Sequence, residues 1–299
     1  MPRPLAVSLL VLTTMLWGFA FVAQKSAMDA MGPMTFSAVR YLLGALAIVP
    51  LVLWELRRTG NRLERRDWPV VAVIALAFFC GVTFQQIGLT LTTVTNGGFL
   101  TSLYVLFVPL LALVVFFQKP HPIVWVGVPM ALLGVYLLNG GRLDSFNLGD
   151  LLVVGSAVAW AVQVYLIGTV SKRTGLPITI SVICFGATSL LSGVAALGFE
   201  TPHFEAIGNG WIEILYAGLL STAVAFTLQA VAQQYVPPAN AAIILSAEGL
   251  FAALGGALIL GERLPMIGYL GATLIFIAIV MVEAVPAFQQ RKPPPVLKQ

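Results

Sequence analysis

Ten apolar runs separated by short polar loops leave this chain little choice of fold. They are Leu5 to Ala23, Met34 to Trp54, Trp68 to Leu89, Thr95 to Phe117 and Ile123 to Leu138, followed by Leu151 to Val170, Pro177 to Phe199, Trp211 to Val231, Pro238 to Leu260 and Leu264 to Val282. Most are about 20 residues long, the length an α-helix needs to cross roughly 30 Å of hydrocarbon. A backbone in lipid must satisfy its own hydrogen bonds, so the runs predict an all-α integral membrane protein of ten transmembrane helices. Composition agrees, since only 9% of the 299 residues are charged, against about 25% in soluble domains. The first run, preceded by Arg3, could imitate a secretory signal, but nine further runs favour a retained span.

Loop charge orients the spans, because cytoplasmic loops are enriched in Lys and Arg. With the amino terminus inside, twelve of the 16 basic residues fall on the inner side and three, Lys25, Arg142 and Arg263, on the outer. Both termini are therefore expected on the cytoplasmic side. The same placement explains the net charge of +4 without a nucleic-acid partner. The outer segments collect Asp29, Asp144, Asp150, Glu200, Glu205 and Glu262 instead.

A shift of 143 or 144 residues lays the second five runs on the first. Thr13 and Trp17 fall on Ser156 and Trp160, Trp68 on Trp211, and Gln86 on Gln229; one residue further, Asn96, Ser102 and Phe107 fall on Asn240, Ser246 and Phe251. Five is odd, so the two copies are inverted relative to each other. The expected organisation is a five-helix repeat over 1–143, an inverted repeat over 144–285, and a disordered cytoplasmic tail over 286–299, with a cavity between the repeats. Inverted repeats give many secondary transporters two-sided access to a site near mid-membrane.

Within the interior of the spans, only Glu248 and Arg40 are charged, Glu213 standing at the very start of the eighth. An ionisable group at such depth costs on the order of 3 kcal/mol and is expected to face a partner or a wet cavity. Glu248 is a candidate for coupling or gating, with structural support and substrate contact as alternatives; its protonation would follow the charge state of the cavity. Its repeat counterpart is Tyr104, and Asn240 and Arg40 join it as candidates for the same role. Arg40 lies about 10 Å inside the second span, where it has three options: to snorkel outward, to pair with a carboxylate, or to grip a substrate carboxylate. Helical spacing lines Thr13, Trp17, Phe21 and Gln24 along one face of the first span, and Ser156, Trp160 and Gln163 along the sixth. The third and fourth spans add Phe78, Phe79, Gln85 and Asn96, and this mixture of rings and amides suits a cavity wall or interhelical packing. Trp54, Trp68 and Trp211 stand at span ends as interfacial anchors. Cys80 and Cys184 lie in apolar runs without metal-ligand spacing, and His121 and His203 lie in proline-flanked loops, so neither a metal nor a cofactor is expected. Phosphate-cradling glycine loops, HExxH and GxSxG are absent from the sequence, which argues against an enzyme.

The WGFAF of the first span, the AVRYLLGALA of the second and the AEGLFAALGGALILGERLP of the ninth resemble the EamA type of the drug/metabolite transporter superfamily. That resemblance, which covers nearly the whole chain, implies ten helices around a central cavity and export of amino acids, metabolites or toxic compounds. Among such proteins the chain looks most like aromatic amino acid exporters. One departure is that Gly249 follows Glu248 where many relatives have proline. The expected function is secondary export of small amphipathic molecules, foremost aromatic or large apolar amino acids, by alternating access. Broad drug or metabolite export is the alternative, and a membrane-embedded enzyme or sensor lies outside the transporter class. Substrate and lipid are the expected partners; the oligomeric state stays open, and a monomer is compatible with the sequence.

Overall fold

Proline in the first turn starts the first, second, third, seventh and ninth spans, where its missing N–H is no loss. Gly60 and Gly175, both at positive φ, stop the second and sixth. A computed structural model describes residues 1–92, 94–138, 140–141, 147–259 and 266–290, with 94–96, 256, 257, 259 and 287–290 described by backbone alone. The spans follow one another as Arg3–Ala27, Pro33–Thr59, Trp68–Leu91, Val94–Val114, Val124–Leu138, Leu148–Thr174, Pro177–Phe199, Trp211–Ala232, Pro238–Ile259 and Met266–Gln290. Among the described residues nine are long and apolar enough to cross a membrane, and Val124–Leu138 is a shorter apolar helix. The expected tail boundary is corrected: the last helix runs through Pro286 to Gln290. Residues 291–299, Arg142, Asp144, Glu262 and Arg263 lie outside the described residues.

Two spans expected to be single helices are broken. The fourth divides into Val94–Thr101 and Tyr104–Val114, and the ninth into Pro238–Leu245 and Glu248–Ile259. The breaks coincide under the 144-residue repeat, and Tyr104 and Glu248 each open the second segment. Serine supplies a cause: Ser102 Oγ donates back to Gly98 O at 2.9 Å and Ser246 Oγ to Ile243 O at 2.7 Å, which bends helices. Around each break the backbone tightens into i to i+3 bonds, such as Leu103 N to Leu100 O and Ala247 N to Ile244 O. The eighth span departs differently, with a π-helical stretch over Tyr216–Phe226.

The repeats interlock rather than stand apart. Spans two and seven pack together, as do three with six, five with ten, and one with eight and nine. Glycines permit the closest approaches: a Cβ on Gly271 would lie 2.4 Å from Gly134 O, and one on Gly88 or Gly149 would lie 2.9 Å from the other's carbonyl. Spans two and seven, which are repeat counterparts, also cap each other. Glu55, at the end of span two, accepts from Ile178 N, Thr179 N and Thr179 Oγ1 at 2.9, 2.8 and 2.6 Å. Glu200, at the end of span seven, accepts from Met34 N, Thr35 N and Thr35 Oγ1 at 2.8, 2.8 and 2.6 Å. Each carboxylate satisfies helix N-terminal donors that would otherwise be orphaned, and each lies at the positive end of its partner's dipole. Glu55 is only 4% exposed, and an unmet buried donor costs about 1–3 kcal/mol. Glu55→Ala is therefore expected to lower stability by roughly 3 kcal/mol, and Glu200→Ala, where the carboxylate itself is only half-buried, by less. Thermal unfolding of the detergent-solubilised variants checks the order.

Candidate functional site

The sequence's polar and ring residues converge on one small interior cavity. Trp17, Phe21 and Gln24 reach it from the first span, Arg40 and Tyr41 from the second, Gln85 from the third and Tyr104 from the fourth; Trp160 and Gln163 come from the sixth, Phe226 from the eighth and Glu248 from the ninth. Its volume is about 40 Å³, room for a few waters, whereas drug-sized ligands need roughly 300 Å³ or more. The cavity as it stands is far too small for a drug-sized ligand.

Aromatic rings close it. Trp17, Tyr41, Phe78, Trp160, Phe185 and Phe226 form a connected cluster with centroid separations from 4.5 to 6.1 Å. Phe226 sits centrally, 4.5 Å from Trp17, 4.7 Å from Phe78 and 5.7 Å from Trp160. The two repeat-related indoles are anchored alike: Trp17 Nε1 donates to Ser221 O and Trp160 Nε1 to Gln85 Oε1, both at 3.1 Å. Thr13 Oγ1 donates to Ala225 O at 3.2 Å and Tyr216 Oη to Leu16 O at 3.0 Å. The π-helical segment is therefore tied to the first span near both of its ends.

Arg40 is 4% exposed, and among the described residues it has no carboxylate partner, so it neither snorkels nor forms an ion pair. Its Nη1 donates to Gln24 Oε1 at 2.9 Å and its Nη2 to Tyr41 Oη at 2.8 Å, while the guanidinium carbon lies 4.5 Å from the Tyr41 ring centroid. Arg40 Nε has no partner, and the same holds for Gln163 Nε2 and Glu248 Oε1, while the Tyr104 hydroxyl lies against the Glu248 carboxylate. Gln163 spends its oxygen on Gln229 Nε2 at 3.3 Å, which leaves the amide nitrogen free. Unpartnered donors and an unpartnered carboxylate oxygen are thus gathered in one cavity, where buried polar groups are normally satisfied.

Not every expected residue reaches this site. Asn240 is held at the end carrying the termini, where its Nδ2 donates to Val282 O and Glu283 Oε1, each at 3.0 Å, beside the ion pair of Glu283 with Arg3 at 2.9 Å. Asn240, a candidate for coupling or gating, thus does not line the cavity. Phe78 backs the cavity through the ring cluster without lining it, and Phe79 is half-buried and lines none of it. The Asn96 side chain lies outside the described residues. Conversely, Tyr41, Phe185, Ser221 and Phe226 were not singled out from the sequence. Tyr41 carried a signal, its place beside Arg40, but Phe226 carried none, because each π turn holds an extra residue and the helical phase counted from Trp211 is lost before residue 226.

Gly18, within WGFAF, lets the first and ninth spans meet beside Glu248. A Cβ there would fall 2.5 Å from Phe251 Cβ, 2.6 Å from Ala252 N and 2.7 Å from Glu248 O. Backbone atoms cannot yield as side chains do. Although alanine gains about 1 kcal/mol of helix propensity, Gly18→Ala is expected to destabilise by a net of about 1 kcal/mol or more through overpacking, with thermal unfolding as the measure.

The EamA-like transporter profile matches the chain twice, over residues 4–140 and 147–284. The chain belongs to the EamA-like transporter family. An uncharacterized transporter of Archaeoglobus fulgidus is 33% identical over 277 residues, covering 92% of this chain and 84% of the relative. YwfM of Bacillus subtilis, an uncharacterized transporter, is 28% identical over 92% of each chain, and the uncharacterized inner membrane transporter YedA of Escherichia coli is 24% identical over 89% of this chain and 87% of its own. A crystal structure with a TM-score of 0.80 and 19% identity, covering 97% of this chain and all of that one, shares the fold. As an EamA-like protein this chain is a multi-pass membrane transporter and not an enzyme.

Proposed function

We propose that this EamA-like protein exports aromatic or large apolar amino acids across a bacterial inner membrane, with both termini cytoplasmic. One observation carries the reading: the cavity holds an unpartnered cationic donor, Arg40 Nε, and an unpartnered carboxylate oxygen, Glu248 Oε1, within a wall of rings. A free amino acid presents the complement, a carboxylate for Arg40, an ammonium for Glu248, and an apolar side chain for Trp17, Trp160 and Phe226. Gln163 Nε2 and Tyr104 Oη are further partners for its polar end. Because the present cavity is too small for such a molecule, binding has to part the ring cluster, and rocking of the two repeats about the cavity supplies that movement. The breaks in spans four and nine lie at Tyr104 and Glu248, where discontinuous helices commonly meet substrate.

Competition in proteoliposomes tests the substrate class: Phe, Tyr and Trp are expected to compete with a labelled aromatic amino acid. If they fail while unrelated organic cations succeed, broad drug export replaces the amino acid reading. Accessibility tests the movement. Cysteines placed at Gln24 and Gln163 are expected to respond oppositely to conditions that open one mouth or the other, and equal labelling from both sides throughout would point to a channel.

A further inference from the structure

We propose that the arginine-rich loop joining the second and third spans is a docking site for the headgroup of an anionic phospholipid, whose acyl chain lies along the second span. The second span shows lipid an exposed apolar stripe of Leu42, Leu46, Val49 and Leu53, spaced by three and four residues so that they stack on one helix face. The next residue in that series is Arg57, exposed on the last helical turn. Beside it, the Arg58 guanidinium lies 4.8 Å from the ring centroid of Trp54, which is itself 52% exposed. A ring of this kind settles at the depth of lipid headgroups, so the two guanidinium groups stand where lipid phosphate lies.

The loop continues the site. Arg62 and Arg66 meet Arg173 around a cleft of about 230 Å³, and an Asn61 Nδ2 bond to Thr174 O at 2.8 Å holds the loop against the end of the sixth span. Local carboxylates neutralise only part of this charge. Arg66 pairs with Glu64 at 2.9 Å and Arg173 with Asp67 at 2.6 Å, while Glu55 is occupied by the seventh span. Arg57, Arg62, Arg65 and Lys172 are exposed, and among the described residues they have no acidic partner. Guanidinium groups suit phosphate through paired N–H donors, and the chain-length stripe below them distinguishes a lipid from a free anion.

The test uses the full-length protein. Binding of phosphatidylglycerol and of phosphatidylcholine is measured by native mass spectrometry and by the rise in melting temperature each lipid gives, for the wild type and for the combined Arg57→Gln, Arg58→Gln, Arg62→Gln and Arg65→Gln variant. Each basic residue near a membrane surface contributes about fivefold in affinity. The wild type is expected to prefer phosphatidylglycerol, the variant to lose that preference by at least about tenfold while melting normally in phosphatidylcholine, and the preference to fall in about 1 M salt, where the Debye length is about 3 Å. Equal binding of both lipids by the wild type overturns the proposal. So does a preference that survives the four substitutions or high salt, and so does an equal melting shift from inorganic phosphate, which would indicate a free-anion site.

Discussion

Arg40→Gln is expected to weaken binding of aromatic amino acids by about 30-fold or more, because losing one partner of a buried charged hydrogen bond costs about 2–5 kcal/mol. The same variant is expected to bind arylethylamines, which lack the carboxylate, as the wild type does. That pairing of a protein truncation with a ligand truncation is a double-mutant cycle and isolates the contact itself. Stability separates the site reading from a structural one. A buried cation whose partners are the neutral Gln24 and Tyr41 is a desolvated charge held at a cost to folding. Removing it is expected to leave the melting temperature unchanged or raised. If Arg40 instead only braced the first span against the second, the variant would melt earlier and bind arylethylamines as poorly as amino acids.

Glu248→Gln keeps the shape of the side chain and removes its titration. It is expected to fold, to lose about tenfold or more in affinity for amino acids while binding arylpropionates unchanged, and to transport without response to a pH gradient. The side chain is 4% exposed and one carboxylate oxygen is unpartnered within the cavity, so a proton or a substrate ammonium can reach the same atom and each excludes the other. That mutual exclusion is what coupling to protons requires. Unchanged pH-dependent transport by a well-folded Glu248→Gln protein would remove Glu248 from coupling and leave it a support for the ninth span.

The ten spans and the halves were legible because hydropathy, and the coincidence of Trp, Asn and Gln under one shift, report on burial and symmetry directly. Trp17, Gln24, Trp160 and Gln163 were legible for the same reason: rings and amides repeated at helical spacing have to face inward. The breaks were not. Ser102 and Ser246 were visible as matching residues, but whether a serine hydroxyl faces outward or bonds back to its own helix is decided by local competition that leaves no mark on hydropathy. Phe226 was hidden by the π turns, which disturb the phase on which any helical reading depends. The surroundings of Asn240 were not legible: its amide donates to Glu283, a carboxylate near the end of the last span that only the folded chain brings alongside. Arg40 lay between these cases, since its depth was readable and its neutral partners were not.

The central claim, that this cavity carries zwitterionic aromatic molecules across the membrane, is tested most directly by counterflow. Purified protein in liposomes preloaded with unlabelled phenylalanine should accumulate labelled phenylalanine from outside, and liposomes holding folded Arg40→Gln protein should not. Accumulation no greater than in protein-free liposomes, with protein shown to be folded and correctly inserted, would contradict the account.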